Sequence, residues 1–163
     1  MAKQKEEKTN VMRLLEQKKI PYTPHTYEHE EGVAVDGVSV ARSLGQNPDC
    51  VFKTLVAQGV SGEIYVFAVP VAENLDLKKG AKAAGEKAIE MVPVKQINAL
   101  TGYVRGGCSP VGMKKQYTTF FDETVELLDT VVVSAGKIGF QVELVPADLL
   151  PLAQGETADL TGG

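Results

Sequence analysis

The chain has 163 residues, of which 44% are hydrophobic, so it is long enough to bury the core of one domain over residues 1–163. Its 17 basic and 21 acidic residues give a net charge of -4, which argues against broad, non-specific adhesion to nucleic acid but allows a local basic patch. The apolar runs are too short for a membrane span, and the charged segment 1–9 does not resemble a secretory signal. We therefore expect a cytoplasmic protein with no membrane partner.

Helical and strand patterns follow one another without a regular repeat. Capping residues, apolar spacing and glycine stops predict helices at 10–20, 38–44, 76–85, 93–102 and 146–152. Runs of β-forming residues between turn residues predict strands at 24–29, 50–57, 63–70, 118–121, 130–134 and 139–144.

The predicted strands suggest how the fold is organised. The turn over residues 59–62 joins 50–57 to 63–70 in a hairpin that should be central, and a second turn at 135–137 joins the last two strands. The expected fold class is α/β of the α+β type, with a mixed, largely antiparallel sheet and flanking helices. The polar tail 154–163 is expected to fray.

A lysine interrupts an apolar strand run. Lys53 lies within residues 51–56, where strand alternation places it on one face and Thr54 on the other. If its face lines a pocket, Lys53 can supply a fixed positive charge, or can act as a base or nucleophile if its pKa falls. The structural alternative is a lysine on an edge strand that reaches solvent.

A glycine-rich segment follows over residues 105–112, with three glycines, a proline and Ser109. Glycines let backbone N–H groups approach a ligand closely, so this segment can form an anion-binding loop or an oxyanion hole. A tight irregular turn is the equally weighted structural alternative. Its spacing fits neither a P-loop nor a dinucleotide-binding motif.

The two cysteines, Cys50 and Cys108, have the spacing of neither a zinc site nor a disulfide framework, so we expect reduced thiols and no metal. A nucleophilic Cys108 would need His25 or His29 as its base, and nothing in the pattern brings either histidine close.

Four segments, in this order and spacing, resemble the YbaK/EbsC family over nearly the whole chain. They are Thr26-Tyr27-Glu28-His29, Val51-Phe52-Lys53-Thr54-Leu55, Leu75-Asp76-Leu77-Lys78-Lys79, and Gly102-Tyr103 through Gly106-Gly107-Cys108-Ser109-Pro110-Val111-Gly112. The family consists of Cys-tRNA(Pro) deacylases related to the editing domain of bacterial prolyl-tRNA synthetases.

The resemblance implies a pocket between the lysine strand and the glycine-rich loop, with Lys53 as its key cation. It also implies a substrate-assisted reaction without metal or organic cofactor, in which the cysteinyl thiol attacks its own ester and releases a thiolactone. The backbone of Gly106 and Gly107 would then hold the aminoacyl carbonyl. The predicted site comprises Lys53 as catalytic residue and, as substrate-binding residues, Tyr27, Thr54, Gly106, Gly107, Ser109, Pro110, Ser134 and Gln141.

Two positions depart from the family pattern. Gln141 replaces an acidic residue, and Asp36 stands where a phenylalanine is usual. Gln141 offers no charge partner to an α-amino group, so the amino-acid preference can differ.

The predicted function is removal of cysteine from Cys-tRNA(Pro), with Cys-tRNA(Cys) as a further possible substrate. The expected partners are aminoacyl-tRNA and, as an option, prolyl-tRNA synthetase. The alternatives are a deacylase for another amino acid such as alanine, and a non-catalytic module that binds aminoacyl-tRNA or a synthetase. The lysines that could meet phosphates, or simply face solvent, are Lys78, Lys79, Lys82, Lys87, Lys114 and Lys115.

Overall fold

The computed structural model describes residues 8–30, 33 and 35–162, so most of the charged segment 1–9 lies outside the described residues. The helices are α1 (Asn10–Gln17), α2 (Gly37–Leu44), α3 (Leu77–Ala84), α4 (Val94–Thr101) and α5 (Pro146–Ala153). The strands are β1 (Thr23–Thr26), β2 (Phe52–Gly59), β3 (Ile64–Pro70), β4 (Ile89–Met91), β5 (Thr118–Asp122), β6 (Val131–Lys137), β7 (Phe140–Leu144) and β8 (Gly155–Ala158). Short 3₁₀ turns cover Pro48–Cys50 and Glu123–Leu127. In the described ranges, no helix is both long and apolar enough to cross a membrane.

Local signals explain where the helices begin and end. The Thr9 hydroxyl accepts from the Met12 amide at 3.2 Å at the start of α1, and Asp76 caps α3 in the same way. Gly45 and Gly85 end α2 and α3 in the left-handed conformation, where glycine is favoured. The five predicted helices are confirmed.

The larger sheet has the order β4-β2-β3-β5-β8. Strands β2 and β3 form its antiparallel hairpin, β5 adds parallel to β3, and β8 adds parallel to β5. The predicted central hairpin is therefore confirmed, and it places Lys53 opposite Val69.

The smaller sheet has the order β1-β7-β6 and is antiparallel throughout. An isolated parallel bridge between Val51 and Val132 connects it to the start of β2. Side chains from both sheets and from α1 share one buried cluster, which includes Leu15, Phe52 and Val133. The α+β class with mixed, largely antiparallel pairing is confirmed, although the strands divide between two sheets.

The expectation that residues 154–163 fray is wrong for the described residues 154–162. Strand β8 pairs with β5, and Leu160 is fully buried, with its amide donating to Asp122 at 3.0 Å. The local sequence is polar and rich in glycine, but pairing with a distant strand satisfies its backbone groups. The short strand β4 was also missed, because three residues give no recognisable period.

The turn after β6 lies later than predicted. Strand β6 continues to Lys137, with a bulge between Ser134 and Lys137, and Gly139 takes the left-handed conformation (φ 95°) in the turn. Gly136, which predicted a turn from the sequence, lies within this bulge instead. It also lies next to Ser134, one of the predicted site residues.

Candidate active site

A cavity of about 520 Å³ lies beside β2, enclosed by the start of α2, by β6 and β7, and by the loop after α4. Its polar and ionisable lining comprises Tyr27, Asp36, Lys53, Thr54, Arg105, Cys108, Ser134 and Gln141. Apolar side chains such as Val40, Val71 and Phe140 complete the walls. The cavity is thus of the size of a small-molecule site and carries a few polar groups on an apolar wall.

The cavity opens where β2 lacks a neighbouring strand. On that edge, β4 pairs with residues 57–59 of β2, the Val92 amide donates to the Val56 carbonyl at 3.0 Å, and the bridge from Val51 to Val132 follows further along the strand. Between these points Lys53, Thr54 and Leu55 line the cavity. Because this part of the β2 edge is unpaired, the strand that carries Lys53 forms one wall of the site.

Lys53 is half-buried on the cavity wall, and burial lowers the pKa of its ammonium group, while Asp36 and Glu73 act in the opposite direction. Within the described ranges, no hydrogen bond or ion pair holds this ammonium group. Lys53 therefore presents a partly desolvated cation to whatever occupies the cavity.

Two hydroxyl groups on the wall have hydrogen-bonding capacity left. The Thr54 Oγ1 atom is buried and has no partner among the described residues. Ser134 Oγ accepts the Gly136 amide at 3.1 Å, which leaves its own hydrogen to donate. Ser134 can donate to a ligand, whereas the Thr54 hydroxyl is buried from solvent.

Gln141 forms part of the cavity wall formed by β7 and is 6% exposed. Its Oε1 accepts from Nε2 of Gln46 at 2.9 Å, across 95 positions of the chain. This bond uses one of the two acceptor positions of the carbonyl, so Gln141 keeps one acceptor position and its amide hydrogens for a ligand in the cavity. Sequence reasoning missed Gln46, which lies after α2 and carries no motif.

The glycine-rich loop contributes only part of what was expected. Gly106, in the left-handed conformation (φ 88°), lines the cavity. Gly107 does not, and its amide donates to the Val104 carbonyl at 2.9 Å, so it cannot hold a substrate carbonyl. A Cβ at Gly107 would lie 2.9 Å from the Ile138 nitrogen. This glycine serves close packing against the β6–β7 turn.

Ser109 and Pro110 also lie outside the cavity lining, and both are buried. The Ser109 hydroxyl accepts from the Val111 amide at 3.3 Å, within the loop itself. These two residues are therefore buried parts of the loop itself and support the tight turn that was the structural alternative for this segment.

Cys108 faces the cavity but lacks the features of a nucleophile. Burial raises the pKa of its thiol to about 11. Neither histidine pairs with it: His25 binds Glu143 at 2.7 Å, and His29 contacts the Glu30 carbonyl at 2.9 Å. In the described ranges, no group of three or more potential ligands could hold a metal ion.

Two charged residues of the lining, Asp36 and Arg105, were not among the predicted site residues. Asp36 was noted only as a departure from the family pattern, and Arg105 only as the first residue of the loop. Both lie at positions where loop geometry decides which way the side chain points. Of the predicted site residues, the structure brings together Tyr27, Lys53, Thr54, Gly106, Ser134 and Gln141.

Among the surface lysines, Lys79 is already engaged. Its ammonium group pairs with Asp159 at 3.0 Å and donates to the Thr161 carbonyl at 2.5 Å. Lys79 therefore links the C-terminal segment to α3, and its ammonium group is less available to bind a phosphate.

Known proteins resemble this chain over most of its length. The family described as aminoacyl-tRNA editing domain matches residues 32–152. A protein of Enterococcus faecalis named as a candidate Cys-tRNA(Pro)/Cys-tRNA(Cys) deacylase, EbsC, is 46% identical over 162 residues, which cover 99% of this chain and 98% of that protein.

Solved structures share the fold. One, described as a candidate trans-editing enzyme for prolyl tRNA synthetase, is 25% identical with a TM-score of 0.78, covering 94% of this chain and 95% of that one. The hypothetical protein APE2540 is 20% identical with a TM-score of 0.81, covering 93% and 99%, and supports the fold alone. The family match and the 46% identity over nearly both chains show that this protein belongs to the aminoacyl-tRNA editing domain family, the YbaK/EbsC type that its motifs resemble.

Proposed function

We propose that this protein is a trans-editing deacylase that removes cysteine from Cys-tRNA(Pro), with Cys-tRNA(Cys) as a second substrate. The observation that carries the proposal is a cavity that joins the cation Lys53, which has no partner among the described residues, to a buried Cys108 thiol whose raised pKa disfavours it as a nucleophile. The E. faecalis relative, whose name gives both of these substrates, supports the same assignment.

A cysteinyl ester carries its own nucleophile. Its thiol sulfur attacks the ester carbonyl, the new carbon–sulfur bond forms, and the bond from carbon to the ribose oxygen breaks. The thiol proton passes to the departing ribose oxygen, and the products are a thiolactone and free tRNA. The protein has only to hold the substrate in the reactive geometry and to stabilise the charge that develops.

The cavity residues fit these tasks. Lys53 is the group suited to the terminal ribose or its phosphate, where negative charge develops as the ester breaks. The Ser134 hydroxyl and the Gln141 amide offer donors to the aminoacyl carbonyl. The backbone of Gly106 lines the same wall, whereas that of Gly107 is already bonded.

A covalent route through Cys108 is disfavoured by its pKa of about 11. At pH 7 such a thiol is ionised in roughly one molecule in ten thousand, and the thiolate is the reactive form. Substrate-assisted cleavage avoids this obstacle.

The proposal includes the partners and the location of the protein. Aminoacyl-tRNA is the substrate, and prolyl-tRNA synthetase is the partner that supplies selectivity for tRNA(Pro), since the net charge of -4 favours only modest binding to tRNA. A cytoplasmic location follows from these partners. If the isolated protein distinguishes tRNA(Pro) from tRNA(Cys) strongly, the synthetase is not needed for selectivity.

The function is tested by incubating the protein with Cys-tRNA(Pro), Ala-tRNA(Pro) and Cys-tRNA(Cys) and measuring both ester loss and thiolactone. We expect both cysteinyl esters to be cleaved with thiolactone as the first product. Hydrolysis of the alanyl ester would indicate a positioned water instead, and binding without ester loss would indicate a non-catalytic module. Retention of all three esters over many turnovers would refute the proposal.

Lys53→Met tests the role of the cation, with Lys95→Met as the control because Lys95 is exposed and outside the cavity lining. We expect Lys53→Met to lose cleavage and Lys95→Met to keep it. Because burial disfavours the charged form of Lys53, the substitution should not lower the free energy of unfolding near neutral pH. Loss of cleavage in a stably folded variant would separate function from folding.

A further inference from the structure

We propose that Asp36 binds the α-ammonium group of the aminoacyl ester and thereby selects substrates with a free amino group. The inference rests on the proposed deacylase function, because it assigns a further contact to the same cavity. It concerns a residue that no motif points to.

The charge balance of the cavity singles out Asp36. Among the described lining residues it is the carboxylate, whereas Lys53 and Arg105 are cations. An aminoacyl-tRNA end carries phosphates and, on the amino acid, an ammonium group. The two cations suit the phosphates and the ribose, and the carboxylate is the complementary group for the ammonium.

The other side-chain oxygen acceptors of the described wall are neutral. The carbonyl Oε1 of Gln141 already accepts one hydrogen bond from Gln46 at 2.9 Å, which leaves it one acceptor position. Ser134 Oγ already accepts from the Gly136 amide at 3.1 Å. An ammonium group has only hydrogens to donate, and therefore gains most from the carboxylate.

Asp36 is held in place by α2. As the N-cap of that helix it accepts on Oδ2 from the Ser39 amide at 3.0 Å and from the Ser39 hydroxyl at 2.7 Å. These hydrogen bonds lower the pKa of the carboxyl group and keep it ionised near neutral pH. A carboxylate has about four acceptor positions, so capacity remains for a ligand.

Asp36 and Lys53 also act on each other electrostatically, each favouring the charged form of the other. Both line one cavity, with Asp36 at an exposed position and Lys53 half-buried. An aminoacyl end whose ammonium lies at Asp36 would extend its ester towards Lys53. This orientation places the bond to be cleaved next to the cation.

The test measures binding of two non-cleavable probes by calorimetry, so that it does not depend on turnover. The probes are 3′-cysteinylamino-3′-deoxyadenosine and its N-acetylated form, used at pH 6.5, where an α-amino group with a pKa of about 7.7 is mostly protonated. Asp36→Asn removes the charge and keeps a good N-cap. Asp76→Asn is the matched control, because Asp76 caps α3 outside the cavity lining.

We expect the wild-type protein and Asp76→Asn to bind the free-amine probe about tenfold or more tightly than the acetylated probe. In Asp36→Asn this ratio should fall to near one, with the acetylated probe bound as before. An unchanged ratio in Asp36→Asn, or no preference in the wild-type protein, would overturn the inference. A preserved preference without cleavage of Cys-tRNA would instead refute only the proposed turnover.

Discussion

Leu160→Ala tests the unexpected order of the C-terminal segment. Leu160 is fully buried in a cluster with Phe67, Val69 and Ala81, although the local sequence indicates a frayed tail. Truncating a buried leucine to alanine costs about 2–5 kcal/mol, since it removes apolar contacts and leaves a cavity. With a urea m-value of about 2 kcal/mol/M for a chain of this size, the unfolding midpoint should fall by roughly 1–2.5 M.

The assay is urea denaturation followed by circular dichroism, with Leu127→Ala as the control. Leu127 is 83% exposed, so the same chemical change should shift its midpoint by less than about 0.3 M. Equal midpoints for the two variants would show that Leu160 does not pack in solution and that β8 does not hold the C-terminal segment. A large shift of the midpoint for Leu160→Ala alone would confirm that Leu160 is packed in the folded protein.

Three further predictions concern the site and the sheet behind it. Cys108→Ala should keep most of the deacylation rate, because a thiol with a pKa of about 11 does not supply the nucleophile, and loss of activity in single-turnover assays would contradict this. Gly107→Ala should lower the free energy of unfolding by about 1–3 kcal/mol in urea titrations, because the added Cβ would lie 2.9 Å from the Ile138 backbone nitrogen. An unchanged free energy of unfolding would mean that the β6–β7 turn can shift to make room for the methyl group. Hydrogen bonds from Thr130 and His25 lower the pKa of Glu143, so its stabilising effect is present above the unfolded-state pKa and is lost as pH falls through the folded-state pKa. Glu143→Gln should therefore be less stable than wild type at pH 7 and approach it below about pH 4 in thermal melts, whereas a constant difference would exclude the linkage.

The sequence by itself determined the features that depend on neighbouring residues. Thr9 and Asp76 cap helices through bonds to amides two or three positions away, and the turn over residues 59–62 joins the central hairpin. Lys53 was recognisable because a charge in an apolar strand run conflicts with burial unless a cavity or solvent receives it. These features follow from local capping, periodicity and composition.

The tertiary structure decided which groups of the glycine-rich loop can contact a ligand. Gly106 and Gly107 are equivalent in sequence terms, yet one lines the cavity and the amide of the other is bonded to Val104. The loop's Ser109 points inward to its own backbone. Gly107 lies against the backbone of Lys137 and Ile138 in the β6–β7 turn, whereas Gly106 borders the cavity.

Long-range pairing decided the rest. Gln46 orients Gln141 across 95 positions, β8 joins β5 to bury Leu160, and the gap between the two sheets opens the edge of β2 at Lys53. No window of sequence contains both partners of any of these contacts. They depend on how the sheets and α2 pack together, and that packing is settled by the buried contacts of the whole chain rather than by local pattern.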